Sequence, residues 1–299
     1  MSDGQEAWLY SGRGVAPTLR WSFTADAPLT DLRLARETGE VLVADLSGGL
    51  YLLDRRGRVV SLIRTRHVIQ RMAWADTGIG GTAAFDDRTV AWFDRKLQFD
   101  WTREVPDDVL AIAMDPHGTH LAVSMADGVT AIFTSENKKV SRFETIRPLR
   151  YLQLLTTEAH LMAAAEHGLV GRYSLRGEAI WSEKLWSNVG DLAASGDGRN
   201  LFLAGFMHGV QSYDGEAGTT RGAFVPSEGT VSLVACAYAK RQLAAATLER
   251  QLFAVNDAGE SVFNLTLPED LSRIVMSPLG DWIVLGFASG RVVRLDYGR

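Results

Sequence analysis

Seven short turns, recurring at an almost fixed interval, constrain this chain more than any other feature. They lie in "LSGGLYLLD", "FDDRTVAWFD", "MADGVTAIFT", "AEHGLVGRYS", "FMHGVQSYD", "LERQLFAVN" and "ASGRVVRLD". The turn residues are Gly48, Arg88, Gly128, Gly168, Gly209, Arg250 and Gly290, at steps of 40, 40, 40, 41, 41 and 40. Random turn chemistry does not hold such a register over seven units. A repeated unit of this size must stack on its neighbours to build a continuous core.

A second column runs in step with the first. Leu32, Met72, Ile112, Leu152, Leu192, Leu233 and Ile274 are all apolar, as are Leu34, Trp74, Met114, Leu154, Ala194, Ala235 and Met276 two residues on. Spacing by two puts both columns on one face of a strand. Alanine-rich runs such as "LMAAAEHG" and outer runs such as "VVSLIRT", "LQFDWTREV" and "EAIWSEKL" complete each unit, and no segment sustains helical periodicity. Four short antiparallel strands repeated every 40 or so residues predict a β-propeller blade.

The expected fold is therefore all-β: a seven-bladed propeller of four-stranded antiparallel blades. The last unit supplies only three strands before Arg299, while "TLRWSFT" (Thr18 to Thr24) reads as an outer strand without inner strands before it. Trp21, Trp101 and Trp181 lie 80 apart, which places Trp21 at an outer-strand position. Pairing of this N-terminal strand with the C-terminal blade would close the ring and protect its edge. The expected organisation is an arm over 1–17 and a single propeller over 18–299. Residues 18–27 form the closing strand, and the blades span 28–65, 66–105, 106–145, 146–185, 186–227, 228–267 and 268–299. Trp8, Leu9 and Tyr10 of the arm suit either packing on the seventh blade or a docking motif.

"MDPHGTHLAVSMADGVTAIF" and "MSPLGDWIVLGFASGRVVRLD" follow the progression apolar-x-Pro-x-Gly, apolar strand, Asp/Ser-Gly, apolar strand. In this the chain resembles the WD-repeat superfamily of propellers along essentially its whole length. That family's Gly-His dipeptides are absent, and its Trp-Asp position is echoed by Leu53-Asp54, Phe93-Asp94, Tyr213-Asp214 and Leu295-Asp296. "SLRGEAIW" is also similar to pyrroloquinoline-quinone-type propeller repeats, without residues identifiable as that cofactor's site. The WD-repeat resemblance implies interaction surfaces more often than catalysis.

Formal net charge is −5 and the pI about 5.7, which argues against general nucleic-acid binding. Cys236 is the sole cysteine, so no intrachain disulfide can form. "MSDGQEAWLY" is acidic with no apolar signal core, and no apolar run is long enough to span a bilayer. A soluble cytoplasmic protein is expected, monomeric alone or a subunit of a larger complex.

Chemistry-bearing constellations are sparse. His117 and His120 have the H-x-x-H spacing, but "DPHGTH" is turn chemistry, and no metal is expected. Cys236 reads as a small buried thiol within a strand. Asp86-Asp87, Asp107-Asp108 and Glu269-Asp270 read as solvated turn acids. No catalytic residue and no cofactor is expected.

Two candidate sites remain. One residue before the apolar column lie Asp31, Arg71, Ala111, Tyr151, Asp191, Ser232 and Arg273, which point the other way, toward the central channel. Asp31, Arg71, Tyr151, Asp191 and Arg273 either fill it with ion pairs or bind a small ligand there, as lactonase-like hydrolases do on similar rings. The loops joining successive blades share a rim with the tight turns, and there Arg66, His67, Arg147, Arg150, His167, Trp186 and His208 make a candidate protein-binding face. The expected function is a non-catalytic scaffold that binds a protein or peptide on that rim.

Overall fold

All seven turn residues have backbones in the left-handed region, from φ 64° at Arg88 and Arg250 to φ 103° at Gly290. This conformation, not composition, is what the forty-residue register records. The computed structural model describes residues 6–225 and 229–298. The expected boundary between the fifth and sixth blades, at 227/228, falls outside the described residues, as do the first five residues of the arm and Arg299.

The strands form seven separate antiparallel sheets, six of four strands and one of five. The inner strands run Leu29–Leu34, Ile69–Trp74, Val109–Met114, Leu149–Leu154, Asp191–Ala194, Val231–Cys236 and Leu271–Met276. Each neighbours the next in cyclic order, and the last neighbours the first. The molecule is a closed seven-bladed β-propeller. Its core lies between blades: each of seven buried apolar clusters joins residues of two adjacent sheets.

Closure is made as the sequence predicts. Thr18–Thr24 pairs antiparallel with Arg291–Asp296, from Thr18 opposite Asp296 to Thr24 opposite Arg291. An open edge would invite pairing with other chains, and this ladder removes it. The arm has a second task. Trp8 and Leu9 are buried in the layer between blades six and seven, with the Trp8 ring edge-on to Phe287 at 6.3 Å. Arg13–Gly14 then adds a fifth strand to the outer edge of blade six. The packing reading of the arm is the one the structure bears out for Trp8 and Leu9, while Tyr10 is exposed.

Outer strands are tied to the following blade at one repeating position. Trp21, Trp101 and Trp181 donate from Nε1 to the carbonyl oxygens of Arg55, Ser135 and Gly215 at 3.1, 2.7 and 2.9 Å. Between them, Ser61 and Ser141 donate from Oγ to Lys96 and Leu175 at 3.2 and 2.5 Å. The tryptophan spacing of 80 is thus two blades of one alternating device.

The Ala7–Tyr10 segment is a single 3-10 turn. No helix among the described residues is long and apolar enough to cross a membrane.

Candidate functional site

The channel is built by a bulge. In six of the seven inner strands the pairing register slips just after the first residue, as between Leu29 and Asp31 or Ile69 and Arg71. A bulge re-aims the side chains that follow it. Leu29 therefore packs in the interblade core with Leu32 and Leu34, while the residue ahead of Leu32 is turned toward the axis. Blade five lacks the slip and begins its inner strand at Asp191.

Inner strands pair on one side only, so their axial edges carry backbone groups that need partners. Channel side chains supply them from the preceding blade. Asp31 Oδ2 accepts from Met72 N at 2.7 Å, and Arg33 Nε donates to Met72 O at 2.7 Å. Arg71 Nε donates to Leu110 O at 3.0 Å and the Tyr151 hydroxyl to Val189 O at 3.0 Å. Gln153 bonds both Ala194 O and Ala194 N, and Asp191 Oδ2 accepts from Val234 N at 3.1 Å.

Arg273 Nε reaches Asp31 Oδ1 at 2.8 Å and joins the last blade to the first. Arg33 approaches the other oxygen at 3.1 Å. Asp31 is fully buried under these two arginines, so this predicted channel residue is sealed behind the wall and does not line the cavity. Burial pushes its carboxyl up, but Arg33 and Arg273 outweigh it and hold it below the usual range. Asp191 forms no ion pair among the described residues, and Arg273 and Arg33 act on it only from a distance. Burial raises it to about 6 against the two backbone N–H groups it accepts. Burial, with Asp191 nearby, pushes the Tyr151 phenol up to about 12.

Arg71, Tyr151, Asp191 and Arg273 line a cavity of 380 Å³ along the axis, with Arg33, Arg150 and Gln153. Its far end is narrowed by Tyr238 of blade six, whose hydroxyl bonds Thr156 Oγ1 of blade four. Arg36 of blade one lies over the Tyr238 ring at 5.7 Å. These three blades are not neighbours, so the contacts reach across the channel and narrow that end, where Arg36, Asp76 and Thr156 line the cavity. The opposite end opens toward the tight-turn rim, where Arg150 pairs with Glu166 at 3.5 Å. Arg150, expected on the rim, belongs equally to the channel mouth.

The other rim candidates are spread around the ring. Arg66 and Arg147 are exposed, and the intervening blade-joining loop carries Asp107 and Asp108, so no continuous basic arc forms. His67 is held between Asp86 and Asp87, at 3.2 Å from Nδ1 and 3.5 Å from Nε2. These three groups lie within 4.8 Å of one another and, among the described residues, are the ones that could offer donor atoms to a cation. In the structure they tie a blade-joining loop to the tight turn of blade two. His167 and His208 are exposed in adjacent tight turns, and His167 Nδ1 contacts Asn188 Oδ1 at 2.6 Å. His120 bonds Thr119 within the Asp115 turn, and Cys236 is buried with its thiol pushed up to about 11 by burial.

Trp186 is 90% exposed, with the Lys184 ammonium 4.7 Å above its ring. Four further apolar side chains on the same rim were not anticipated from sequence, the first being Leu46, exposed in the tight turn of blade one. Ile146 is 97% exposed in the loop entering blade four, Met207 is 75% exposed in the tight turn of blade five, and Leu248 is exposed in that of blade six. Ile146 and Trp186 occupy equivalent positions 40 residues apart, a signal available only once the loops are aligned by repeat.

No protein-family model matches the chain, and no curated protein matches its sequence. In shape it is similar to the crystal structure of the Myceliophteria thermophila Cps50 (Swd1) β-propeller domain. The TM-score is 0.77 at 17% sequence identity, covering 94% of this chain and 99% of that one. As many as 1849 chains of solved structure match, so the likeness identifies a widespread architecture and leaves function to the residues. The WD-repeat resemblance read from sequence holds at the level of fold.

Proposed function

We propose that this propeller is a protein-interaction scaffold whose tight-turn rim, over blades four to six, receives a protein or peptide partner with an apolar contact face. One asymmetry carries the reading. Among the described residues, the tight-turn rim exposes Leu46, Ile146, Trp186, Met207 and Leu248, whereas the loops of the opposite rim expose only Ile79 and Leu279 as large apolar side chains. Such a concentration on one face of a water-exposed surface marks an interaction site. An exposed tryptophan with a cation over its ring is the kind of residue that carries binding energy at an interface.

The channel groups favour binding over hydrolysis. Arg71, Tyr151 and Asp191 are engaged with the backbone of neighbouring inner strands, which fixes them in place. Site-specific photo-crosslinking tests the rim. A crosslinker at Met207 should capture a defined partner in the native extract, and the same group at Leu279 should not. Equal capture from both faces contradicts the proposal.

A further inference from the structure

We propose that the axial cavity is a binding site for a small anion, a phosphate- or carboxylate-bearing molecule, held by Arg71, Arg150 and Arg273. The site stands on its own observations and does not depend on the rim reading.

The first observation is a local charge surplus. Arg33, Arg71, Arg150 and Arg273 gather at the mouth half of the cavity against Asp31 and Asp191. The protein as a whole carries −5, so this concentration is not a by-product of general basicity. Asp31 is already shared by Arg33 and Arg273, and Arg150 meets Glu166 at 3.5 Å. Arg71 forms no ion pair with any described carboxylate.

The second is a set of unspent donors. Arg71 uses Nε on Leu110 O and Nη1 on Gln70 O. Arg273 uses Nε on Asp31 and Nη1 on Ser272 O. Arg33 uses Nε on Met72 O and Nη2 on Asp31. Among the described residues, Arg71 Nη2, Arg273 Nη2 and Arg33 Nη1 bond to nothing, while their side chains line the cavity. Each guanidinium is thus anchored by its other nitrogens and presents one free amino group. Burial draws Arg71 below its ordinary range; Asp31 opposes this, and Arg273, Arg150 and Arg33 add to it. A cation so placed is costly until an anion joins it.

The third is shape. At 380 Å³ the cavity has the size of a small-molecule pocket, and the Tyr238–Thr156 contact narrows its far end, which favours entry from the arginine side. Guanidinium groups bind phosphate and carboxylate oxygens with two parallel hydrogen bonds. The Tyr151 hydroxyl and Asp191 lie on the same wall and suit a hydroxyl-bearing ligand.

Titration calorimetry with inorganic phosphate and with citrate, each against sodium chloride at matched ionic strength, tests the site. At least one anion should bind saturably, and which of them binds tells phosphorylated from carboxylated ligands. Arg71→Gln should weaken that binding by about tenfold or more, the worth of a charge-assisted contact. Arg150→Gln, at the mouth, provides the same comparison if Arg71→Gln does not fold. Trp186→Ala, which leaves the channel intact, should bind as the parent does. Heats no larger than chloride for both anions, or unchanged binding by the arginine variants, would overturn the proposal.

Discussion

The indole Nε1 of Trp21 donates a 3.1 Å hydrogen bond to the carbonyl oxygen of Arg55, and so ties the strand that closes the ring to the blade that begins it. Behind the bond, the Trp21 ring packs against Gly57, where a Cβ would come within 2.6 Å of ring carbon. Gly57 also has φ +77°, so the turn that receives the indole has two reasons to be glycine. The same arrangement joins Trp181 to Gly218. The junctions of blades seven to one, one to two, two to three and four to five are thereby held both at their outer ends, by such contacts, and at their inner ends, by channel side chains.

Replacing Trp21 by Phe keeps much of the ring contact and removes the donor. Trp21→Phe should cost about 1 kcal/mol, the net worth of one hydrogen bond, and Trp101→Phe and Trp181→Phe a similar amount. Urea unfolding measures all three. A cost confined to Trp21 would show that the repeat positions are not equivalent.

The two parts of the N-terminal segment should fail differently. Removing residues 1–17 strips Trp8 and Leu9 from the layer between blades six and seven and should lower stability by several kcal/mol while leaving a monomer. Removing residues 1–24 also unpairs Arg291–Asp296 and should produce association through the bare edge. Light scattering coupled to size exclusion separates these outcomes, and a monomeric 1–24 deletion would refute the closure argument.

Asp191 predicts a pH dependence. Its folded pKa is raised to about 6 by burial, above the unfolded value of about 3.9, so the folded chain holds this proton more tightly. The resulting stability is complete below the unfolded pKa and is lost as pH rises through about 6. Asp31, held low by Arg33 and Arg273, acts with the opposite sign, its contribution lost as pH falls. Subtracting the stability of Asp191→Asn from that of the parent isolates Asp191, and this difference should decline between pH 4 and pH 7. A flat difference contradicts the assignment.

Arg88 occupies the left-handed region at φ 64° in a turn where five of the seven equivalents are glycine. That backbone costs a residue with a Cβ roughly 1–2 kcal/mol, of which glycine returns part through unfolded-chain entropy. Arg88→Gly should stabilise by about 0.5–1 kcal/mol on these terms. Gly48→Ala should destabilise, because its Cβ would also meet Thr65 O at 2.6 Å. Thermal unfolding of the two variants reads both signs.

The fold was legible because its signals are local and repeated. A turn that needs positive φ leaves Gly or a tolerated Arg at every fortieth position, and the apolar column follows from strand alternation. The channel was legible only in part. Alternation placed Arg71, Tyr151, Asp191 and Arg273 toward the axis, but one sequence cannot show the bulge that separates Leu29 from Asp31. Nor can it show that Arg33 and Arg273 close over that carboxylate.

The rim was read through its charges, and there the reading was incomplete. Apolar residues in these loops usually tuck inward, as Val105, Leu185 and Leu267 do. Ile146 and Trp186 follow such a position by one residue and turn outward, a difference set by the path of the loop.

The most direct test of the interaction reading is affinity capture from the native extract with three proteins side by side. These are the parent, Ile146→Ala with Trp186→Ala, and Ile79→Ala with Leu279→Ala on the opposite rim. All four residues are exposed, so both double variants should unfold within about 0.5–1 kcal/mol of the parent. The account predicts a stoichiometric partner retained by the parent and by the opposite-rim variant and lost from the first. Retention by the Ile146/Trp186 variant, or loss from the Ile79/Leu279 variant, would contradict it.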